Sequence, residues 1–488
     1  MQSIECARSE IALRELREDT GPMTPDKPPS IMQHVLSRYT AGSPLSLMVR
    51  IGLEHCFSSA ALDEVFEGSR TKTYTNELAF SATVDLLGLV VTGGQPSVRA
   101  AYPHGEVGVT LKAVYEKLQN VEPAVSAAMV RGTADRAAML IRSMKGERAP
   151  WLSGFRVMVL DGNHLAATDR RLAVLRGSVA GPLPGHLLAV FEPALGLVRA
   201  VVPCEDGHAQ ERLILPQVLP MVSPGDCWIC DRNFCTRAFL WGIQQRHGAF
   251  VIRQHANLIT RPFGALISCG RIETGEVFEQ DVRMEMEDGR TLDLRRITIR
   301  LDQATRDGDM ELHLLTNLPK EMASAIEIAD LYRKRWSIET AFQQLALWLN
   351  AELAPLGYPK AALFGFCVGL LSYNLLATVV ASLRAVHGEK KVDEEVSGYL
   401  IANDVRMNAP GLDVMVEAEE WTARYGGLSA EEMAIVMLTL ARHVDLRRLP
   451  KAKTRVKKTP APRTRFKGET HVSTKRLLDE ARARKSRD

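Results

Sequence analysis

The chain has 488 residues, of which 46% are hydrophobic, 24% charged and 6% aromatic. That composition excludes wholesale disorder, collagen and coiled-coil rods, and the length suits roughly two to four structural units around a sizeable core. The formal charge of +3 hides an uneven spread: residues 447–488 hold 16 Lys/Arg against 4 Asp/Glu, a net +12, which leaves −9 on the preceding 446. An acidic body with a basic tail points to a polyanionic partner, most often nucleic acid.

Residues 1–30 are polar and end among Pro22, Pro25, Pro28 and Pro29, which reads as a loose leader. No apolar h-region stands there, so no secretory signal is expected. The cysteines (Cys6, Cys56, Cys204, Cys227, Cys230, Cys235, Cys269 and Cys367) are scattered, unlike a secreted disulfide framework, so a cytoplasmic location is expected. Residues 31–150 carry apolar residues at helical spacing, as in LSLMVRIGLEHCF and ELAFSATVDLLGLVV. From 151 the pattern changes. FRVMVLDG is a short β-rich run ending at Asp161, and HLLAVFEP with GLVRAVVPC reads as a hairpin around Ala194–Gly196. QERLILPQVLPMV predicts a helix interrupted at Pro216, DCWICDRNF a strand with Asp231 just past its end, TRAFLWGIQQRHG a helix capped by Thr236, and AFVIRQ a further strand. This first core segment closes at 254.

Residues 255–312 alternate and turn at Asp288–Gly289, which predicts a β-rich insertion. Helical spacing returns from about Met322 through Asn350, within a second core segment over 313–385. Within it, Ala361–Leu383 is free of charge and long enough to span a bilayer. Gly365, Gly369, Ser372, Tyr373, Asn374, Thr378 and Ser382 interrupt it, which favours a buried core helix and no membrane. A charged helical stretch occupies 386–446. The basic tail, 447–488, is extended at first by Pro450, Pro460 and Pro462, and its last dozen residues can form a helix on binding.

Two carboxylates stand where strands end, Asp161 and Asp231, and Glu339 follows the insertion on a helix. There Tyr332, Arg335 and Glu339 at i, i+3 and i+7 share one face, beside a core stripe of Ile338, Phe342, Leu345 and Leu349. Three carboxylates on two strands and a helix can hold two divalent ions about 4 Å apart for phosphoryl transfer, and carboxylate ligands suit Mg²⁺ or Mn²⁺. Arg232, Arg333, Lys334 and Arg335 can then hold phosphates. Spacing alone, with Asp169, Glu192, Glu205, Asp206 and Asp226 nearby, fits surface acids and helix-face ion pairs at least as well.

Weaker signals keep two readings each. Cys227-x₂-Cys230 with Cys235 invites zinc, but on a strand 227 and 230 face opposite sides, as core thiols would. His164 is either near the acids or a loop histidine, and Trp336 reads DNA or belongs to the core. No Gly-rich phosphate loop occurs, so no nucleoside triphosphate is expected.

VLDGNHL (159–165), CDRNF (230–234) and YRKRWSIETAF (332–342) resemble the three signature blocks of DDE transposases of the insertion-sequence-four family. The resemblance runs over about 31–480 and includes the tail segment KGETHVSTKRLL. It implies an α/β fold: a ribonuclease H-like catalytic core with a β-rich insertion, flanked by helical N- and C-terminal regions, the N-terminal one binding DNA. It implies that Asp161, Asp231 and Glu339 are the metal-binding catalytic acids and that Tyr332 and Arg335 touch double-stranded DNA near the element's terminal inverted repeats. It further implies two Mg²⁺ ions, cleavage and strand transfer in cut-and-paste transposition, a homodimer pairing two ends, and a cytoplasmic, nucleoid-associated protein. Two departures stand out. Ala346 occupies the signature's lysine position, with Gln343 one substitute. The insertion also lacks the tryptophan that holds a flipped base in some relatives, leaving Phe263 or Phe278 to stack. A catalytically inactive DNA-binding derivative acting as repressor or inhibitor, or a nuclease without strand transfer, are the competing readings.

Overall fold

The computed structural model describes residues 30–71, 77–105, 107–305, 308–452 and 470–486. The expected leader up to residue 29, tail residues 453–469 and the side chains of Trp336, Leu345 and Ala346 lie outside the described residues.

The chain begins with helices α1 (Ile31–Gly42), α2 (Pro44–Cys56), α3 (Ser59–Ser69), α4 (Phe80–Val91), α5 (Val98–Ala101), α6 (Leu111–Asn120) and α7 (Pro123–Ser143). Their starts are chemically marked. Ser30 and Gln33 form a reciprocal capping box on α1, and Pro44 and Pro123 occupy first turns, where no N–H is missed. Strands β1 (Arg156–His164), β2 (Gly181–Leu183), β3 (His186–Glu192), β4 (Leu197–Cys204) and β5 (Asp226–Cys230) follow, then α8 (Arg237–Gln245) and β6 (Ala249–Arg253). The Thr236 hydroxyl accepts from the Phe239 N–H at 3.3 Å and starts α8, as its sequence position indicates. QERLILPQVLPMV is not helical. It makes three 3₁₀ turns, Glu211–Leu213, Leu215–Gln217 and Leu219–Met221, because Pro216 and Pro220 each remove a helical N–H.

The insertion supplies β7 (Arg261–Pro262), β8 (Ile267–Ile272), β9 (Gly275–Glu285), β10 (Thr291–Leu301) and β11 (Glu311–Thr316). Gly289, at φ +82°, makes the β9–β10 turn. The inserted strands extend the main sheet: β11 pairs antiparallel with β6, giving the order β4-β3-β1-β5-β6-β11-β10-β9-β7, with β8 also on β9. Beyond it come α9 (Ala325–Arg333), α10 (Ser337–Trp348), α11 (Pro359–His387), α12 (Glu389–Glu395), α13 (Gly398–Met415), α14 (Ala418–Tyr425) and α15 (Ala430–Arg442). The tail returns as β12 (His471–Ser473), parallel to β2, and α16 (Thr474–Lys485), the helix expected of its last dozen residues. This is a mixed α/β fold with a large mixed sheet and helical flanks.

Both sheet faces are buried, so the central strands read as continuous apolar runs. Val157 and Val159 of β1 belong to one core; Met158 and Leu160 belong to the other. The larger core is shared by α1–α4, α6, α7, α9–α11 and α13–α15. Cys227 and Cys230 fall on opposite faces of β5, and burial pushes the Cys227 thiol up to about 12, so they are core thiols that share no ion. Arg50 of α2 binds Asp413 of α13 at 2.8 Å and lies over the Trp421 ring of α14, so N- and C-terminal helices pack as one layer.

The apolar helix α11 is the axis of that layer and packs on α2, α4, α7, α15 and β4. It is the only helix among the described residues long and apolar enough to cross a membrane, and 83% of that apolar window is buried within the protein. Its polar residues have internal uses. The Asn374 amide donates to Val198 O and accepts from Val198 N, both at 2.9 Å, completing a β4 residue where the ladder to β3 is bulged. Asn374→Leu strands both backbone groups in an apolar core. It is expected to cost about 2–4 kcal/mol, measured as a lowered urea midpoint with unchanged slope.

Candidate functional site

Register brings the two aspartates together. Strands β1 and β5 run parallel, and their last partners are Leu160 and Cys230. Asp161 and Asp231 are the next residues on each strand and stand side by side at the carboxyl edge of the sheet. β1 itself continues to His164, because β3 still pairs with it from Asp161 through His164. The expected strand end at Asp161 is therefore only the end of its parallel pairing.

Glu339 arrives from α10. The single helix face expected for Tyr332, Arg335 and Glu339 is broken: α9 stops at Arg333, Lys334–Trp336 is a 3₁₀ turn, and α10 starts at Ser337. The break turns Arg335 inward, leaving it 8% exposed. Its guanidinium lies between two acids, 3.3 Å from Asp161 Oδ2 and 3.0 Å from Glu339 Oε1. The Tyr332 hydroxyl lies 3.5 Å from Asp231 Oδ1, and burial, then the Asp231 charge, push its ionisation up. Burial also pushes the Asp161 carboxyl up to about 7; Glu339 and Asp231 add to the rise, while Arg335 and the Gly162 N–H oppose it. The three acids thus face one region, with Arg335 and Tyr332 among them. Among the described residues no three His, Cys, Asp or Glu side chains are gathered closely enough to close on one ion. The guanidinium provides the countercharge.

The other expected contacts are elsewhere. Arg333 pairs with Glu273 of the insertion at 2.5 Å and with Asp330 at 3.2 Å. Lys334 lies over the Trp151 ring, 5.8 Å from its centre. Arg232 is 3.8 Å from Asp309. Of the four cations, Arg335 is the one ion-paired to Asp161 and Glu339. Gln343 is exposed. Phe263 and Phe278 are each covered by an arginine, Arg283 at 5.1 Å and Arg300 at 4.3 Å. His164 stacks on buried His186, 4.9 Å between centres.

One acid escaped the sequence reading. Glu211, in the first 3₁₀ turn after β4, reaches over Gly162, so that its Oε1 is 1.8 Å from where a Cβ at 162 would stand. Its Oε1 is also 4.0 Å from His164 Nδ1, and the Asn233 side chain hydrogen-bonds its carboxylate. Arg212 Nε donates to Asn233 O at 3.0 Å, tying this turn to the one after Asp231. The only local signal is the glycine following Asp161, which by itself does not specify what approaches it.

Residues 182–375 match the family model described as the transposase DDE domain. The match takes in Asp231, the insertion and Glu339, and begins beyond Asp161. No curated protein matches the chain. The match supports a DDE transposase with a ribonuclease H-like core, and transposases of that kind act on DNA and generally use divalent metal ions.

Two outcomes test the geometry. Arg335→Met removes the cation between Asp161 and Glu339 and is expected to cost about 2 kcal/mol at about pH 8, less than a fully buried pair because Glu339 is 42% exposed. Without Arg335, Asp161 relieves its charge by taking up a proton below its raised pKa. The loss should therefore shrink toward about pH 5.5, measured by unfolding at both pH values. Gly162→Ala must displace Glu211, and a melting temperature lowered by several degrees is expected; Gly162→Ala with Glu211→Ala should recover part of it.

Proposed function

We propose that this protein is a DDE transposase of the insertion-sequence-four family that binds terminal inverted repeats and performs cut-and-paste transposition. Asp161, Asp231 and Glu339 are its catalytic acids and hold two Mg²⁺ ions, with Mn²⁺ able to substitute. The observation that carries the reading is the placement of two aspartates at one level of adjacent parallel strands with Glu339 opposite, joined by Arg335. The donor chemistry suits a hard dication. All three are carboxylates, and Asp161 is raised to about 7 first by burial and then by the charges of Glu339 and Asp231, against the pull of Arg335. Bound there, such ions would activate the attacking oxygen and steady the leaving oxygen.

The chain's own residues do the rest. Arg335 has planar, paired donors that can pass from carboxylate to phosphate oxygens, which lysine could not do with the same geometry. Tyr332, held beside Asp231, donates a hydroxyl at the same edge. The helical region 31–150 binds the inverted repeat, and the +12 tail adds phosphate contacts. Two copies pair the two ends, as a homodimer.

A second reading is favoured by one observation. Arg335 is already ion-paired to both Asp161 and Glu339, an arrangement that suits an inactive DNA-binding derivative. A labelled duplex carrying the flanking inverted repeats separates the two. Mg²⁺-dependent nicking at the element boundary is expected, with a joined product, and Glu339→Gln should abolish both, by about 10³-fold or more. Binding without cleavage in Mg²⁺ and in Mn²⁺ would establish the derivative. Metal binding should also release protons at about pH 6.5, because Asp161 is then largely protonated; calorimetry in buffers of different ionisation enthalpy reads this, and Asp161→Asn should remove it.

A further inference from the structure

Behind the helix that carries Glu339 lies a cavity of about 540 Å³ with no part in the chemistry above. Ser337 and Thr340, on either side of Glu339 in sequence, close one wall of it. Trp151 and Lys451 stand on its lining, and Phe191, Tyr373 and Leu376 supply an apolar surface.

Its charges do not balance. The Asp393 carboxylate receives Arg148 through two bonds, 2.6 and 3.1 Å, and Arg384 Nη1 is 3.9 Å from the same group. One carboxylate therefore serves two guanidiniums. Arg384 is 4% exposed, its Nε donates to Gly146 O at 3.1 Å, and its Nη2 has no acceptor. Burial, then the neighbouring Arg148, lower its pKa to about 10, against the opposing charges of Asp393 and Glu389. Lys451 Nζ donates to the Asp393 carbonyl at 2.6 Å and adds a third positive charge. The other acid on the wall, Glu389, accepts from the Ala149 N–H at 3.3 Å. The Ser337 hydroxyl is buried and has no partner among the described residues. An uncompensated guanidinium donor, an unused hydroxyl and an adjoining apolar surface describe a site for an anion borne on an apolar body.

We propose that this cavity binds a phosphate monoester on a planar body, a nucleotide, with Arg384 and Ser337 toward the phosphate, Arg148 adding positive charge beside it while its donors stay on Asp393 and the Pro193 carbonyl, and the apolar wall against the base. The anion character follows from the cavity alone; the choice of a nucleotide rests on the transposase reading. The nucleotide is either free or part of a DNA strand. Occupancy ties the first turn of α10 to α11 and α12, and so holds the helix that presents Glu339.

The test is calorimetric titration of the full chain without divalent ions, using dAMP, inorganic phosphate and a 5′-phosphorylated single-stranded oligonucleotide. Saturable binding of dAMP, tighter than phosphate, is expected and identifies a free nucleotide; binding of the oligonucleotide without dAMP identifies a strand. Ser337→Ala and Arg148→Gln should each weaken the bound probe by about tenfold or more, with melting temperatures checked to exclude unfolding. Asp161→Asn should leave this binding unchanged whether or not the protein cuts DNA, which separates the fate of this site from that of the transposase reading. No saturable binding by any probe, phosphate as tight as dAMP, or indifference to Ser337→Ala overturns the proposal.

Discussion

Carboxylates brought together at a half-buried sheet edge repel one another and lose solvation, so some positive charge must stand among them. In this protein that charge is Arg335. It reaches the acids because the chain between α9 and α10 tightens into a 3₁₀ turn, which swings residue 335 away from the surface and between Asp161 and Glu339. Burial first, then the charges of Glu339 and Asp231, hold Asp161 up to about 7 against the pull of Arg335. A carboxylate cluster of this kind is suited to take a dication, and one arginine that can exchange carboxylate for phosphate is suited to follow the charge onto a substrate.

The scaffold under the acids is stiff for ordinary reasons. β1 and β5 are buried on both faces, and their parallel pairing ends one residue before each aspartate, so neither backbone is free to drift. The third acid depends on a helix. α10 follows a broken turn and packs through Ile338 and Phe342 onto the larger core. Glu339 is thus positioned by helix packing where the aspartates are positioned by hydrogen-bonded register, and the cavity behind Ser337 lies against this helix.

Charge is distributed with the same economy. The insertion's arginines are mostly consumed locally: Arg283 pairs with Asp293, Arg295 with Glu279 and Arg300 with Glu311. The first two pairs join β9 to β10 and the third joins β10 to β11, while Arg283 and Arg300 cover Phe263 and Phe278. The described end of the tail is anchored by β12 on β2 and by Arg476 on Asp206 at 2.8 Å, which leaves Arg482, Arg484 and Lys485 on the outer part of α16. A chain whose body is acidic can present positive charge only where it is concentrated in this way.

Much of this was legible in the sequence. Period-two and continuous apolar runs marked β1, β3, β4 and β5, because a strand buried on both faces has few polar residues to offer; Thr236 marked the start of α8 through its cap; and the glycines and Asn374 within an uncharged helix argued for a protein core. The opposite facing of Cys227 and Cys230 followed from strand geometry alone. These are local properties, set by neighbours a few residues away. What only the tertiary structure decided is long-range: that β1 and β5 align so that Asp161 and Asp231 fall at one level, that Glu211 comes over Gly162 from a turn after β4, and that Arg333 turns to the insertion while Arg335 turns to the acids. A helical repeat places Tyr332, Arg335 and Glu339 on one face; the chain instead tightens into a 3₁₀ turn at 334–336, and the three still meet at the acids.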